Sequence, residues 1–294
     1  MRSQVIVGAT LLVDAGLFVA LLAVGLVSGS RAVLSQAVYV IADLIGTGLL
    51  SWGIIASLRP PDEKHPFGRG KERFFWSFSA SLVTFSLAGF IVILSGLTSV
   101  AHPGAVTELR YVVLVLALTI LSGAVGILVT LRELRQEGVE LNEFLDSSHL
   151  GLKTIFYQDV VSVLGALVAL TGTILIDVTG RPVFDGLAAV GVGILLSVTG
   201  VLLAAESREL LVGKAISPGQ ARKVLGLVER DARVRKVRGL QSMMLGPEDV
   251  LVALRVNFQD GLTTDQIEGA IDQISASLRE TFPMMRHLLI EPES

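Results

Sequence analysis

Long apolar runs occupy most of the first 206 residues of the chain. Each run reaches the roughly 20 residues that an α-helix needs to cross the hydrocarbon core of a bilayer. The runs lie at about residues 5–28, 33–57, 74–100, 110–131, 153–176 and 183–205. The pattern therefore predicts a polytopic α-helical membrane protein with six transmembrane helices. The first run is too long for the apolar part of a secretory signal and lacks a small-residue cleavage site, so we expect it to be retained.

The hydrophobic pattern changes after Glu206, where shorter amphipathic segments replace the long runs. Two segments have apolar residues at helical spacing; one begins with Ser217 and Pro218, and the other with a Thr263–Gln266 capping box. The stretches VLVALRV (250–256) and HLLIEP (287–292) suit β-strands, and GPED (246–249) is a turn that joins the first of them to a preceding strand. The order helix, two strands, helix, strand predicts a small cytoplasmic α+β domain with its helices on one face of a sheet. We accordingly place a transmembrane domain at 1–206 and a C-terminal domain at 207–294.

Composition supports a membrane protein and limits its chemistry. The chain is 51% hydrophobic and only 17% charged, with a mean hydropathy of +0.67. Its net charge of −3 gives no indication of a nucleic-acid partner. Because the chain has no cysteine, disulfides and thiolate metal sites are excluded, and any metal site must use oxygen or imidazole ligands.

Basic residues are unevenly distributed among the loops. They are concentrated between helices 2 and 3 and between helices 4 and 5, whereas the other three connections carry about one each. The loop between helices 2 and 3 contains Arg59, Lys64, Arg69, Lys71 and Arg73. The loop between helices 4 and 5 contains Arg132, Arg135 and Lys153. The positive-inside rule places these loops in the cytoplasm. We therefore expect a multi-pass cell membrane protein with both termini cytoplasmic.

Three carboxylates interrupt the apolar runs. Asp43 lies about ten residues from one end of its run, roughly 15 Å at 1.5 Å per residue, Asp14 lies about nine residues into its run, and we expect Asp159 at a comparable depth. No Lys or Arg lies at that depth to neutralise them. Ionisable side chains at bilayer depth are costly and usually functional, and a pathway for a polyvalent cation explains three acids at matched depth. The alternative is that each acid is protonated and bonded to a neighbouring helix.

The loop after the second run carries a family resemblance. Its sequence HPFGRGKERFFWSF (65–78) resembles the helix 2–3 loop signature of the cation diffusion facilitator family. SGSRAVLSQAVYVIAD resembles the start of the family's second helix, PVFDGLAAVGVGILL its sixth helix, and ESRELLVGKAI its link to the cytoplasmic domain. The predicted C-terminal element order matches the family's ferredoxin-like domain. KERFFWSF and the QD of helix 5 resemble the subgroup whose fifth helix usually carries Glu-Asp.

The resemblance implies an exporter of divalent metal that acts as a homodimer and usually exchanges metal for protons. In the family, a tetrahedral midplane site takes two ligands from helix 2, four residues apart, and two from helix 5. Asp43 and Asp159 match two of these positions. Tyr39 stands where the ligand one turn before Asp43 belongs, and Gln158 stands where the subgroup has Glu.

Two further positions depart from the family pattern. Ile155, one turn before Asp159, cannot replace the His that other subgroups have there. Gln36 occupies a position where Glu is common. Because the usual ligands are missing at positions 39 and 158, a metal-blind structural or regulatory homologue is the alternative function.

The donor types that remain are carboxylate, phenol and amide groups. This set suits Mg²⁺ or Mn²⁺ better than Zn²⁺, which favours nitrogen and sulfur ligands, although Fe²⁺ and Zn²⁺ stay open. We expect Asp14 to make up part of the lost charge, giving a three-aspartate site. With Tyr39 in place of an imidazole, the site lacks the group that titrates near neutral pH, which argues against proton coupling.

Other candidates have ordinary structural explanations. His65, beside Asp62 and Glu63, lies where some family members hold a second metal, but a plain loop role is favoured. Asp146 and His149 are candidates for a site that receives incoming ions, with a solvated helix terminus as the favoured interpretation. Asp185 suits the dipole at the start of helix 6. No nucleophile–base set indicates an enzyme, and no cofactor is expected.

Overall fold

The computed structural model describes residues 2–137 and 150–293. Asp146 and His149 lie outside these described residues. The helices of the membrane region are α1 (Arg2–Ser28), α2 (Arg31–Ser57), α3 (Glu72–Ser79), α4 (Leu87–Ala101), α5 (Leu109–Glu137), α6 (Leu150–Thr179) and α7 (Val183–Val212).

Most of these helices have the length and surface of membrane spans when α3 and α4 are taken as one segment. Within the described ranges, five spans are long and apolar enough to cross a bilayer, and α1 is apolar over Leu12–Ser28. Large apolar side chains point away from the protein, among them Leu128 and Leu202, each 65% exposed. Side chains of this kind are normally buried in a soluble domain, whereas lipid solvates them. The predicted class, a polytopic helical membrane protein, is confirmed.

The third predicted span is one helical segment with an irregular centre. A π-helical stretch, Ala80–Ser86, joins α3 to α4. At the start of this stretch the Ser81 hydroxyl donates a 2.9 Å hydrogen bond to the Ser77 carbonyl. Such a bond competes for an acceptor that the regular helical ladder uses. Apolar periodicity carries no signal of this change, and the sequence analysis did not predict it.

The chain forms two compact units, one of residues 1–52 with 76–206 and the other of residues 53–75 with 207–294. The core of the first unit includes Leu21, Val33 and Leu196, each at most 1% exposed. The second unit contains the α2–α3 loop as well as the C-terminal residues. The sequence analysis had assigned that loop to the transmembrane domain, and the two-domain division at residue 206 stays a prediction.

Glycines allow α4 and α7 to approach closely. A β-carbon at Gly89 would lie 2.9 Å from the Gly193 carbonyl oxygen, and one at Gly193 would lie 2.9 Å from the Gly89 carbonyl oxygen. Gly96 and Gly186, one heptad further along, make the same reciprocal contact at 2.9 and 3.0 Å. Small residues of this kind let helix backbones pack directly in a membrane, where apolar burial provides little drive for association.

Asp185 connects α7 to the beginning of α2. Its carboxylate is 1% exposed and accepts hydrogen bonds from the Ser30 hydroxyl at 2.5 Å and from the backbone amides of Arg31 and Ala32. The first amides of a helix have no partner within the helix. Asp185 does lie in the first turn of α7, as expected, but its oxygens cap a different helix.

The C-terminal residues form the predicted α+β arrangement. Its elements are α8 (Pro218–Val228), β1 (Val234–Gly246), β2 (Asp249–Phe258), α9 (Thr264–Thr281) and β3 (His287–Pro292). The sheet order is β1-β2-β3, with β1 antiparallel to β2 and β2 parallel to β3. Both expected helix caps are present as capping boxes, Ser217 with Gln220 and Thr263 with Gln266.

Alternating side chains bury one face of the central strand. Val250, Val252 and Leu254 on β2 are at most 1% exposed. On α9, Ala270, Ile274 and Leu278 recur every fourth residue and are also buried. The regular spacing on both elements explains why the sequence predicted this domain well.

The α2–α3 loop packs against the C-terminal residues within the second unit. The Phe67 ring meets His287 of β3 edge-on at 5.1 Å between centroids, and the Lys71 ammonium donates to the Leu211 carbonyl at 3.3 Å. A β-carbon at Gly70 would lie 2.5 Å from the Leu245 carbonyl oxygen, so the backbones touch at that point. The loop bounds a cavity of about 500 Å³ with Leu211 and Leu245.

Candidate metal-transport site

Helix α2 presents three polar side chains along one face. Gln36, Tyr39 and Asp43 are spaced three and four residues apart, which aligns them on one side of a helix. Gln36 is 1% exposed and Tyr39 is 4% exposed. From Ala32 to Ser57 the helix contains no Lys or Arg. The polar face of α2 therefore lies inside the bundle without a basic partner on its own helix.

Helix α6 meets that face with Gln158. The Gln158 side-chain amide donates a hydrogen bond to the Asp43 carboxylate. The Tyr39 hydroxyl donates a 2.6 Å hydrogen bond to the backbone carbonyl of Gln158. The structure thus brings together Asp43, Tyr39 and Gln158, three of the residues that the sequence analysis selected. We call this contact, with Gln36 and Asp159, the α2–α6 seam.

Asp159 lies beside Gln158 on α6 and its carboxylate packs against α5. A β-carbon at Gly126 would lie 2.3 Å from one Asp159 carboxylate oxygen and 2.5 Å from the other. Its Oδ2 is buried and has no hydrogen-bond partner among the residues the structure describes. The absence of a side chain at Gly126 therefore makes room for the carboxylate. Sequence reasoning missed this glycine, since nothing in the pattern of α5 indicates which of its residues faces Asp159.

Asp14 on α1 is close enough to contribute charge. Its carboxylate interacts electrostatically with Asp43 and with Asp159. In the described part of the chain, however, no three His, Cys, Asp or Glu side chains are placed to hold one metal ion together. The three-aspartate site thus stays a prediction, and in this conformation the acids share an electrostatic field without forming a closed cage.

His65 lies in the α2–α3 loop and is engaged by its neighbours. Its Nδ1 is 3.0 Å from the Asp62 carboxylate, and Arg69 donates to the other carboxylate oxygen at 2.8 Å. Hydrogen bonds from Arg69 and His65 lower the pKa of Asp62 to about 2. This exposed turn has the contacts of a structural loop, the role that the sequence analysis favoured, and its use as a metal site stays untested.

Comparison with known proteins places the chain in a family. A family model described as the cation efflux transmembrane domain matches residues 7–212. The human proton-coupled zinc antiporter SLC30A9, mitochondrial, is 28% identical over 242 residues, which are 81% of this chain and 43% of that protein. Metal tolerance protein C4 of Arabidopsis thaliana is 25% identical over 79% of this chain and 52% of its own length. The cation-efflux pump FieF of Shigella flexneri is 22% identical over 87% of this chain and 81% of its own length.

The aligned region therefore spans about half of the first two relatives and most of the third. The matched domain extends from residue 7, within α1, to the end of α7 and includes every residue of the α2–α6 seam. The mammalian relative is named as an antiporter, the bacterial one as an efflux pump and the plant one as a metal tolerance protein, and none of the three is named as an enzyme. The chain belongs to the cation diffusion facilitator family of cation efflux transporters.

Proposed function

We propose that this protein is a secondary transporter that exports a divalent metal cation from the cytoplasm through the α2–α6 seam. The observation that supports this most directly is the contact of Asp43 with Gln158, beside Tyr39 and Asp159, in a bundle interior that holds no basic residue on either helix segment (32–57 and 154–179). Acids in that setting need a cation, a proton or water to be stable. A divalent ion passing between α2 and α6 meets that need and agrees with the family.

The proposal includes the topology and the assembly expected from the sequence. Both termini and the two basic loops lie in the cytoplasm, and two copies of the chain form a homodimer. Export then moves the ion from the cytoplasmic ends of α2 and α6 to the opposite side. Lys64 and Arg135, in the two basic loops, mark the cytoplasmic side in this arrangement.

The donor set determines the expected ion. Carboxylate oxygens from Asp43 and Asp159, the Tyr39 phenol and the Gln158 amide oxygen are hard donors, and they favour Mn²⁺ and Mg²⁺. One relative is named as a zinc antiporter. Zn²⁺ and Fe²⁺ are therefore the competing cargoes against which the preference is measured.

A second function is favoured by one specific feature. The Gln158 amide donates a hydrogen bond to the Asp43 carboxylate, and this bond takes the place of a contact that a bound cation would otherwise make. A site closed by its own hydrogen bond belongs equally to a metal-blind structural or regulatory homologue. The two functions differ in whether the Gln158–Asp43 bond opens in the presence of metal.

Flux in reconstituted vesicles tests the proposal. The purified full chain is placed in liposomes, and uptake of Mn²⁺, Mg²⁺, Fe²⁺, Co²⁺, Cd²⁺ and Zn²⁺ is followed for the parent and for Asp43→Ala and Asp159→Ala. We expect metal-dependent flux in the parent and its loss in both variants. The matched control is Asp177→Ala, an exposed aspartate near the end of α6, which should transport like the parent.

Two outcomes would contradict the proposal. Parent vesicles without flux for any ion, together with calorimetry that detects no binding, would establish the metal-blind alternative. Flux that survives both aspartate replacements would show that ions cross elsewhere in the bundle.

A further inference from the structure

Gln36 is a fully buried amide of the α2–α6 seam that is not among the four proposed donors to the ion. Its side chain is 1% exposed, yet neither Nε2 nor Oε1 has a hydrogen-bond partner among the residues that the structure describes. A buried amide without partners is strongly unfavourable, and nearly all such groups in proteins are satisfied. We therefore ask which group the Gln36 amide binds in another conformation or ion-bound form of the protein.

The surroundings of Gln36 place it on the same pathway as Asp43. It lies on the polar face of α2, seven residues before Asp43, which is about 10 Å along the helix axis. Its amide packs against Gly165 of α6, where a β-carbon would lie 2.6 Å from Nε2. Gly165 is in turn seven residues after Gln158. The Gln36–Gly165 contact therefore repeats the Asp43–Gln158 contact two turns further along the same pair of helices.

We infer that Gln36 is a second coordination point for the transported divalent cation, two turns beyond Asp43 toward the N-terminal end of α2. The inference rests on the proposed function. The amide oxygen is a hard, neutral donor that suits a partly hydrated divalent ion. Because it carries no charge, it holds the ion more weakly than Asp43 does. Because Gly165 has no β-carbon, the amide packs directly against the backbone of α6.

The position explains which step Gln36 affects. An ion that leaves Asp43 toward the N-terminal end of α2 otherwise crosses an apolar stretch of the bundle, lined by buried residues such as Val33 and Ala169. The amide oxygen replaces part of the water that the ion gives up there. Loss of the amide therefore slows passage but leaves binding at Asp43 nearly unchanged.

Two substitutions at one position separate the donor from the packing. Gln36→Leu keeps the approximate volume and removes both polar atoms, and Gln36→Glu keeps an oxygen donor. The full chain in liposomes is assayed for Mn²⁺ and Zn²⁺ flux, and detergent-solubilised protein is assayed for Mn²⁺ affinity by calorimetry. Ser35→Ala is the control, because the buried Ser35 hydroxyl bonds to the Arg31 carbonyl of its own helix and takes no part in the seam.

We expect Gln36→Leu to melt at or above the temperature of the parent, because it removes an unpartnered buried amide. Its flux should fall by about tenfold or more while its Mn²⁺ affinity changes by less than about threefold, since the binding residue lies two turns away. Gln36→Glu should retain flux, and Ser35→Ala should behave as the parent.

The inference is overturned if Gln36→Leu transports like the parent, if Gln36→Glu is as inactive as Gln36→Leu, or if Ser35→Ala loses as much flux as Gln36→Leu. These failures differ from failure of the proposed function, which is read from the parent and from Asp43→Ala and Asp159→Ala. If Asp43→Ala abolishes flux and Gln36→Leu does not, the transport site stands and the second coordination point is wrong.

Discussion

At the scale of single residues, the chemistry of the seam depends on groups that replace the usual ligands. Tyr39 offers a phenol and Gln158 an amide where the family resemblance leads one to expect imidazole or carboxylate. Both are held by hydrogen bonds that cross from α2 to α6. The selectivity of the site should therefore respond to these two positions more than to the aspartates that it shares with the family.

Restoring an imidazole tests this dependence. We expect Tyr39→His to raise the preference for Zn²⁺ over Mn²⁺ by about tenfold, because imidazole is a favoured zinc ligand. The new group also has an ordinary pKa near 6.5, so that zinc flux should fall as the pH is lowered through that range and the imidazole becomes protonated. Competition flux assays in vesicles between pH 5.5 and 8 measure both effects.

Tyr39→Phe is the matched control. It removes the hydroxyl and its bond to the Gln158 carbonyl without supplying a nitrogen ligand. The zinc preference of this variant should not rise. An equal change in selectivity for Phe and His at this position would show that the loss of the phenol, rather than the gain of the imidazole, controls the ion.

Gly126 offers a test of how tightly Asp159 is positioned. We expect Gly126→Ala to reduce flux by about a hundredfold, because its β-carbon would occupy the position of the carboxylate oxygens, and a displacement of about 1 Å has effects of this size. Gly48→Ala on α2 is the control, since nothing lies within 4 Å of a β-carbon there. Vesicle flux, compared at matched protein incorporation, measures the difference. Parent-like flux in Gly126→Ala would mean that Asp159 does not need this arrangement to carry ions.

At the scale of secondary-structure elements, the helices are held together by small residues and by one carboxylate. The α4–α7 pair depends on reciprocal glycine contacts, and the start of α2 depends on Asp185. These contacts act between helices that are distant in sequence. Substitutions at them should lower stability without touching the seam.

Asp185→Ala should lower the free energy of unfolding by about 2 kcal/mol, since two helix amides and the Ser30 hydroxyl lose their acceptor in a buried place. Asp185→Asn should cost less, because an amide oxygen still accepts. Tm in detergent measures the change. Asp177→Ala, at an exposed position, should leave Tm unchanged, and a comparable drop there would point to a general effect of removing acids.

Gly96→Leu should abolish the α4–α7 contact, because a β-carbon alone would already lie 2.7 Å from the Val190 backbone nitrogen. We expect the variant to lose most of its monodisperse fraction in size-exclusion chromatography. Gly16→Leu, at a glycine of α1 with nothing within 4 Å, is the control and should elute like the parent. Normal elution of Gly96→Leu would show that the two helices can separate without loss of the fold.

The elements that the sequence predicted are those whose signals are local. The length of the apolar runs predicted the membrane spans. Ser217 and Thr263 predicted the starts of two helices, and the structure confirms both as N-caps. The contacts Gly126–Asp159, Gly165–Gln36 and Asp185–Arg31 were not predicted. Each joins residues more than 30 positions apart, and which helix faces which cannot be inferred from the periodicity of either one.

At the scale of the whole molecule, the proposed topology determines which ends of α2 and α6 face the cytoplasm. It was predicted from the distribution of basic residues, and its test is simplified by the absence of cysteine from the chain. A single introduced thiol is therefore the only reactive one. In intact cells, Lys64→Cys should react only with membrane-permeant reagents, whereas His102→Cys, after α4, should also react with impermeant ones. The reverse result would contradict the proposed topology with both basic loops in the cytoplasm.

The hydrogen bonds from Ser30, Arg31 and Ala32 to Asp185 fix the N-terminal end of α2. If α2 tilts as a rigid body about this fixed end, each of its residues is displaced in proportion to its distance from that end. Asp43 is twelve residues, about 18 Å, beyond Arg31, so that it travels farther in such a swing than Gln36 does. The gap between α2 and α6 then widens first on the side remote from Asp185, and opening on the near side requires the fastening itself to give way.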